Sequence, residues 1–244
     1  MRKLYIEDVY IERKEFNLKI KQLQFSNNCK VAILGENGSG KTTFFNLVTG
    51  LLKPQRGLIA YNKKSINDIK TDKRAKIFAY LPQFFNLIFN FTVFEIVHFG
   101  RFPFYNKALA NNYNKEKTNE ILELLNLKNM KFKRWSELSG GEKQRVAIAK
   151  TLNQETPILY LDEPFSMLDV KHQLDCLKII QSLNKLVILS THNINLIKNH
   201  VDRFVFFKNG TILADLNVNE LNEEVLNRTY EVPVKRINNY FMFS

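Results

Sequence analysis

The sequence predicts an α/β fold with a mainly parallel central sheet, an antiparallel β-subdomain at the N-terminus and an inserted helical subdomain. Two observations carry this prediction. Short apolar runs bounded by turn residues recur along the chain, as buried strands require, whereas residues 84–136 are dominated by helical spacing. The 244 residues suffice for one well-buried core with a smaller attached lobe, so we expect a single domain over residues 1–244.

The predicted strands fall into two groups. Residues 4–11 and 16–25 alternate between apolar and polar side chains, which indicates a pair of antiparallel strands. The central sheet is predicted from five short apolar runs. These runs are residues 31–34, 77–81, 158–161, 186–190 and 204–207.

The predicted helices lie mainly in the inserted subdomain. One covers residues 92–100 and begins with the capping box Thr92-x-x-Glu95, and a second covers residues 115–125. Residues 210–244 are expected to form a strand–helix extension of the domain. Its parts are a strand at 211–215, a helix at 219–230 and a loosely packed tail at 236–244.

A glycine-rich loop follows the apolar run at residues 31–34. It reads Gly35, Glu36, Asn37, Gly38, Ser39, Gly40, Lys41 and Thr42. Its glycines let successive N–H groups face one anion, and the helix predicted to begin at Thr42 and Thr43 and to end at Leu51 adds its positive dipole end. Lys41 can reach the β- and γ-phosphates, and the Thr42 hydroxyl can ligate Mg²⁺. The order strand, loop, helix favours nucleoside triphosphate binding over an ordinary glycine-rich turn.

A second motif ends the apolar run at residues 158–161. Asp162 and Glu163 follow directly, at the strand end where ligands bind in open α/β sheets. We expect Asp162 to hold Mg²⁺ through water and Glu163 to polarise the attacking water. Acidic residues at strand ends often only cap the next turn. The glycine-rich loop at residues 35–42, called the phosphate loop below, favours a catalytic role for these carboxylates over a capping role.

A third motif lies between these two. It reads Leu138, Ser139, Gly140, Gly141, Glu142, Lys143, Gln144 and Arg145. Ser139-x-x-Glu142 is a capping box that opens a helix. The cap does not explain Gly140 and Gly141, which weaken the first helical turn. The pair makes sense if backbone N–H groups must approach another phosphate closely.

Along the chain the three motifs follow in the order glycine-rich loop, Ser139–Gly141 turn, and Asp162–Glu163. With this order the chain resembles the ATP-binding subunit of an ABC transporter and its P-loop ABC ATPase core. Residues 138–144 match the signature motif of that family. The resemblance implies that Gln83 senses Mg²⁺ and the γ-phosphate, and that His192 contacts the γ-phosphate. Residues 166–169 resemble the D-loop, whose Asp169 communicates across a dimer interface. Asn193 stands where many relatives carry aspartate, a departure that we expect to be tolerated.

The resemblance also implies an aromatic residue that stacks on adenine. Tyr10 is the predicted residue, with Tyr5 and Phe16 as near rivals. The expected catalytic residues are Lys41, Gln83, Glu163 and His192. The expected Mg²⁺ ligands are Thr42, Gln83 and Asp162. The expected ATP contacts are residues 35–43, Tyr10, Ser139, Gly140, Gly141 and Glu142.

The expected partners follow from the same resemblance. Two copies should close head-to-tail, so that Ser139 and the N–H groups of Gly140 and Gly141 complete the γ-phosphate shell of the partner. A transmembrane permease should dock on residues 84–104, which contain eight phenylalanines, and an extracytoplasmic substrate-binding protein should act indirectly. The chain lacks an apolar stretch of roughly 18 residues, so we expect it to bind peripherally at the cytoplasmic face of the membrane.

Three segments carry a finer resemblance to the ATPases of iron–siderophore, haem and cobalamin importers. They are residues 97–103, 169–173 and 225–234. An importer ATPase for zinc or manganese is the alternative within transport.

Two other function classes compete with import. A soluble ABC ATPase that acts on nucleic acid or ribosomes usually has two cassettes or a long coiled coil, and neither is present. An ABC scaffold for iron–sulfur assembly departs from the Asp-Glu-Pro sequence that Pro164 completes here. The net charge of +12 suits a nucleotide and an anionic membrane leaflet, and no basic run is interleaved with aromatics, so we expect no nucleic-acid partner. Two cysteines predict no disulfide framework.

Overall fold

The computed structural model describes residues 3–13, 16–105 and 110–244. Its strands are β1 (Lys3–Arg13), β2 (Phe16–Ser26), β3 (Lys30–Leu34), β4 (Arg56–Tyr61), β5 (Lys64–Ser65), β6 (Phe78–Leu81), β7 (Ile158–Leu161), β8 (Leu186–Ser190), β9 (Arg203–Lys208), β10 (Thr211–Asn217), β11 (Val234–Ile237) and β12 (Tyr240–Phe243). Its α-helices are α1 (Lys41–Val48), α2 (Thr71–Arg74), α3 (Val93–His98), α4 (Ala110–Leu124), α5 (Gly140–Asn153), α6 (Val170–Ser182), α7 (Ile194–Ile197) and α8 (Glu223–Tyr230). The predicted α/β class is confirmed.

The chain divides into two compact units. The first comprises residues 1–70 and 180–244, and the second comprises residues 71–179. The predicted helical subdomain, residues 84–136, falls within the second unit. The two cysteines, Cys29 and Cys176, are free thiols. Among the described residues, no helix is both long and apolar enough to cross a bilayer.

The first unit contains a mixed sheet with the strand order β5-β4-β1-β2-β10-β9-β3-β8. The predicted antiparallel pair is confirmed by β1 and β2, and β3 is parallel to both β8 and β9. Helix α1 packs its apolar face on this sheet, where the Phe44 ring lies 6.3 Å from that of Phe25 and 5.4 Å from that of Phe207. The core therefore anchors the helix that follows the phosphate loop.

Helix α1 ends earlier than the predicted residue 51. The Thr49 hydroxyl donates a hydrogen bond back to the carbonyl of Phe45 at 2.8 Å, and Gly50 has a φ of 69°. A left-handed glycine one or two residues past the last turn is a common helix terminator. The helix thus stops at Val48 because its C-terminal carbonyls are satisfied locally.

The second unit contains the parallel pair β6 and β7 together with most of the helices. Both capping boxes predicted from the sequence are present: Thr92 caps α3 with Glu95, and Ser139 caps α5 with Glu142. Helix α3 is followed by 3₁₀ turns over Phe99–Phe104. The buried Arg101 guanidinium joins α4 to the end of α5 through Asn114 Oδ1 at 3.0 Å and the Asn153 carbonyl at 2.9 Å.

The prediction of a loosely packed tail at residues 236–244 was wrong. Strands β11 and β12 form an antiparallel hairpin in which Val234 is opposite Phe243. Phe241 is buried, and Asn238 has a φ of 52° in the two-residue turn. The run Ile237-Asn238-Asn239-Tyr240 carried a hairpin signal, since asparagine tolerates the left-handed conformation that such turns need.

Candidate active site

The loop at residues 35–42 joins β3 to α1 and is shaped by two close contacts. Gly35 has a φ of 147°, and a Cβ there would lie 2.3 Å from the carbonyl oxygen of Phe207. Gly40 has a φ of 111°, and a Cβ there would lie 2.8 Å from a Leu18 methyl and 2.9 Å from the Phe16 ring. Both positions require glycine, so the turn that presents the loop amides depends on this composition.

The loop combines a fixed cation with an unsatisfied hydroxyl. The ammonium group of Lys41 donates hydrogen bonds to the carbonyls of Gly35 at 2.7 Å and Glu36 at 2.9 Å. Ser39 Oγ is buried and has no hydrogen-bond partner among the described residues. A lysine, a hydroxyl and backbone amides at a helix N-terminus are the groups that bind an oxyanion. The loop therefore fits a phosphate group.

The remaining loop residues face outward. Glu36, Asn37 and Gly38 form the exposed tip, Thr42 is exposed and Thr43 is half-buried at the start of α1. The exposure of Thr42 is compatible with the Mg²⁺ ligation predicted for it.

His192 lies in the first unit, two residues before α7. It is exposed, and its neighbour Asn193 caps the helix by accepting a hydrogen bond from the Leu196 amide at 3.0 Å. The Asn193 amide in turn donates to Thr191 Oγ1 at 3.2 Å. Asparagine caps helices as well as aspartate does, which gives a physical reason to tolerate Asn193. The contact of His192 with a γ-phosphate stays a prediction.

Tyr10 and Phe16 lie on opposite faces of the β1–β2 pair. Tyr10 is opposite Lys19 in the strand register, whereas Phe16 shares its face with the buried Leu18. Arg56 lies 5.6 Å from the centre of the Tyr10 ring, and both line a cleft of about 380 Å³. Phe16 is therefore an alternative to Tyr10 that lies beside the phosphate loop, because its ring is next to Gly40. The signal in the sequence was the two-residue spacing between Phe16 and Leu18, which places both side chains on one face of the strand.

The carboxylates at the end of β7 are buried in the second unit. Asp162 and Glu163 are 1% and 7% exposed. Glu163 has a φ of 51°, a backbone conformation that non-glycine residues rarely adopt and that is concentrated at functional sites. Burial and the negative charge of Asp162 raise the pKa of Tyr80. The region thus concentrates negative charge in a desolvated setting.

Gln83 follows β6, whose residue Leu81 is opposite Leu161 of the parallel strand β7. The carboxyl ends of parallel strands meet at one sheet edge, so Gln83 and the two carboxylates follow the same edge of this pair. Gln83 is exposed. Gln144 of the signature helix donates a hydrogen bond to the Pro164 carbonyl at 2.9 Å, a buried contact that the sequence motifs did not predict.

The signature turn, residues 139–142 of the signature motif, forms the capped N-terminus of α5. The Ser139 amide donates to Glu142 Oε2 at 2.7 Å, and Ser139 Oγ accepts from the Glu142 amide. The hydrogen bond that the Ser139 amide donates to the Glu142 carboxylate lowers the pKa of Glu142. Gly140 is exposed and Gly141 is half-exposed. The first-turn N–H groups of α5 thus combine a positive helix end with access from solvent.

The D-loop aspartate is engaged locally. Asp169 accepts hydrogen bonds from the His172 amide at 2.9 Å and lies 2.8 Å from His172 Nδ1, and these bonds lower the pKa of Asp169. Its role across a dimer interface stays a prediction.

Several aromatic residues of the predicted docking segment pack within the second unit. The Phe94 ring stacks on His98 at 5.3 Å, and Phe99 lies 4.9 Å from Phe91. Phe85 is half-buried, edge-on to Trp135 at 5.7 Å. By contrast, Phe84 and Phe89 are 73% and 69% exposed. The exposed part of the segment is therefore smaller than its aromatic content indicated.

No cluster of three or more histidine, cysteine, aspartate or glutamate side chains with metal-binding geometry occurs in the described part of the chain. Magnesium in phosphate-transfer sites typically keeps several waters and binds one or two carboxylates together with substrate phosphates. The buried carboxylate of Asp162 in the second unit and the hydroxyl of the exposed Thr42 in the first unit are each donors of the kind that magnesium accepts.

Comparison with known proteins agrees with these features. The family described as "ABC transporter" matches residues 18–166. The chain is 35% identical over 213 residues to the petrobactin import ATP-binding protein FpuC of Bacillus anthracis, covering 84% of this chain and 78% of that protein. It is 34% identical over 229 residues to a probable iron chelatin transport ATP-binding protein of Helicobacter pylori strain 26695, covering 90% of each.

A solved structure adds an assembly to this comparison. The ATP-binding cassette MJ0796, in a dimeric post-hydrolysis state bound to ADP and Pi, is 27% identical and superposes with a TM-score of 0.78. The alignment covers 89% of this chain and 100% of that one.

Proposed function

The chain belongs to the ABC transporter family, as an ATP-binding subunit whose ATPase activity is coupled to transport, and we propose that it powers import through a separate transmembrane permease. The observation that carries the proposal is the phosphate loop, whose required glycines, buried Lys41 and unpartnered Ser39 hydroxyl suit a triphosphate. The importer assignment rests on the two iron-import relatives.

The phosphate groups would be bound by the loop amides and by Lys41, which must exchange its carbonyl partners for phosphate oxygens. Its bonds to Gly35 and Glu36 lie within the loop, so a rotation of the side chain would release both carbonyls. Thr42, Gln83 and Asp162 would hold Mg²⁺, which when bound neutralises charge on the phosphates. Adenine would stack on an aromatic ring, for which we keep Tyr10 and add Phe16 as the alternative.

Glu163 would act as the general base. Glu163 is 7% exposed, and its φ of 51° is a backbone conformation that is concentrated at functional sites. The γ-phosphate would be contacted by His192. Lys41 would offset the charge that develops on the phosphoryl oxygens during hydrolysis.

We propose that hydrolysis occurs in a head-to-tail pair of chains. The N–H groups of the exposed Gly140 and the half-exposed Gly141, together with Ser139, would bind the γ-phosphate of ATP held by the partner. The dimeric state of MJ0796 with ADP and Pi supports such a pairing. ATP would favour the closed pair because it contacts both copies there, and hydrolysis would reverse this preference.

The permease would dock on the exposed part of residues 84–104. Phe84 and Phe89 present large apolar surfaces close in sequence to Gln83. Such a position would let the nucleotide state, sensed by Gln83, reach the membrane partner. The chain would therefore work at the cytoplasmic face of the membrane, with a substrate-binding protein acting from the other side.

The cargo class that we propose is an iron complex, either a siderophore or haem, or cobalamin. Reconstitution in proteoliposomes with the cognate permease and binding protein tests it. Ferric siderophore, haem and cobalamin should each be compared with zinc and manganese. Stimulation of ATP hydrolysis by one loaded iron-complex or cobalamin binding protein supports the proposal. Stimulation by zinc or manganese alone, or no association with any permease, contradicts it.

A further inference from the structure

The C-terminal hairpin packs one face inward and exposes the other. Residues directly opposite in an antiparallel pair share a face, so the pairs Val234–Phe243 and Arg236–Phe241 lie on the inner face. Phe243, at the end of this face, is 44% exposed. Val234 and Phe241 are buried there, whereas Met242 and Tyr240 on the outer face are exposed. The inner face therefore contacts the body of the first unit.

The hairpin is attached to the short helix α7 by a pair of hydrogen bonds. The Asn195 side chain donates through Nδ2 to the Phe241 carbonyl at 2.8 Å and accepts through Oδ1 from the Phe241 amide at 2.9 Å. One side-chain amide thus satisfies both backbone groups of a buried residue. Loss of either partner would leave buried polar groups unpaired.

A cationic contact lies beside this pair. Lys198, directly after α7, is 6% exposed, and its ammonium group lies 4.8 Å from the centre of the Tyr240 ring and 5.5 Å from that of Phe241. The ammonium group has no hydrogen-bond partner among the described residues. The aromatic rings of the hairpin are therefore the groups that compensate this charge.

Helix α7 begins immediately after the loop that carries His192. It is only four residues long, too short to keep its position without tertiary contacts. Its N-terminal side is tied to the loop through the Asn193 cap, and its C-terminal side is tied to the hairpin through Asn195 and Lys198. The hairpin contacts of α7 and the His192 loop are therefore separated by a single helical turn.

We propose that the C-terminal hairpin is a positioning device for His192, with Asn195 and Lys198 as positioning residues. The inference rests on the proposed role of His192 at the γ-phosphate. A residue that orients a catalytic side chain matters mainly in the transition state, when that side chain contacts the reacting phosphate. Its loss therefore lowers turnover more than it weakens nucleotide binding. The hairpin is thus part of the ATPase machinery, although it lies outside every sequence motif of the site.

The test measures the ATPase kinetics of Asn195→Ala, alone and combined with His192→Ala. We expect Asn195→Ala to lower kcat by roughly tenfold with an unchanged KM for ATP, because misplacement of a catalytic group acts on the transition state. In the His192→Ala background the same substitution should have no further effect. Met242→Ala, on the exposed face of the hairpin, is the matched control and should keep the parental kcat.

Three outcomes overturn the proposal. They are a parental kcat in Asn195→Ala, an equal loss with and without His192, and a loss confined to KM. A parental rate in His192→Ala refutes the role of His192 itself and is recognisable separately. If Asn195→Ala does not fold, Lys198→Met replaces it: this variant keeps the apolar stem and should lower kcat by roughly threefold, again only when His192 is present.

Discussion

The phosphate loop and the signature turn are both glycine-containing turns that open a helix, yet they are built differently. The phosphate loop has left-handed glycines, a buried lysine and a backbone pressed against Phe207. The signature turn has an ordinary capping box, and its glycines are exposed at Gly140 and half-exposed at Gly141. The first turn can hold an anion with groups of its own chain. The second offers a positive helix end that needs a ligand from elsewhere, which is the difference expected of two halves of a shared ATP site.

The largest effect should come from Glu163→Gln, which removes the proposed base and leaves both turns intact. We expect turnover to fall by ~10²–10⁴ while ATP affinity is retained, so that ATP traps a dimer. Single-turnover hydrolysis measures the rate of ATP cleavage, and sedimentation velocity with ATP measures the trapped dimer. Turnover at the parental rate would exclude Glu163 as the base.

Lys41→Ala should damage the phosphate loop itself. Loss of a charged hydrogen-bond donor to phosphate costs about 1.5–3 kcal/mol, so ATP affinity should fall by roughly tenfold to 10²-fold. Titration calorimetry with ATP measures this change. Lys143→Ala, in the first turns of α5, is a matched control that should keep the parental affinity. Unchanged affinity in Lys41→Ala would count against nucleotide binding by this loop.

Gly141→Asp should damage the signature turn and leave the phosphate loop intact. The carboxylate would repel the γ-phosphate of the partner, so hydrolysis should fall by at least roughly tenfold at unchanged monomer affinity for ATP. A Cβ at this position would lie 3.0 Å from the Met167 carbonyl, so Gly141→Ala is the control that adds the methyl group without charge. Equal losses in both variants would assign the effect to packing.

Replacement of Phe84 and Phe89 by serine should affect neither turn. Both rings are exposed, so basal ATP hydrolysis by the isolated chain should be unchanged, whereas recovery of the complex with the permease should fall several-fold. Phe85→Ser is a contrasting variant, because it removes a contact with Trp135 and should lower thermal stability. Normal assembly of the double variant would refute docking through these residues.

The smallest effect concerns pH and the helices that support the signature turn. Burial, together with the positive charges of Lys115 and Arg101, lowers the pKa of His98. The unfolded chain therefore binds the proton at higher pH than the folded chain, and stability should fall as the pH drops below about 6.5. His98→Asn should lose this component of the acid sensitivity. Thermal unfolding midpoints of the parent and of His98→Asn at pH 7.5 and 5.5 measure this acid sensitivity. An identical shift of the midpoint with pH in both proteins would contradict the prediction.

The sequence predicted those features that depend on neighbouring residues. The strand, glycine loop and helix at residues 31–48 are contiguous, and the Ser139–Glu142 cap spans only one turn, so composition and spacing determine them. Strand β4 escaped prediction because its three exposed residues precede three buried ones, with no alternation to detect. The hairpin depends on Asn195, 46 residues before its partner Phe241, and the burial of Phe85 depends on Trp135, 50 residues after it. Such partners are set by tertiary packing.

The central claim, that the two turns of different copies share one ATP, is tested most directly by mixing two defective chains. One carries Lys41→Ala and the other Gly141→Asp. A mixed pair concentrates both lesions in one site and leaves the second site intact, so ATP-dependent association and hydrolysis should reappear on mixing. If the mixed chains show no ATP-dependent association, while each chain alone is folded and inactive, the shared-site account is contradicted.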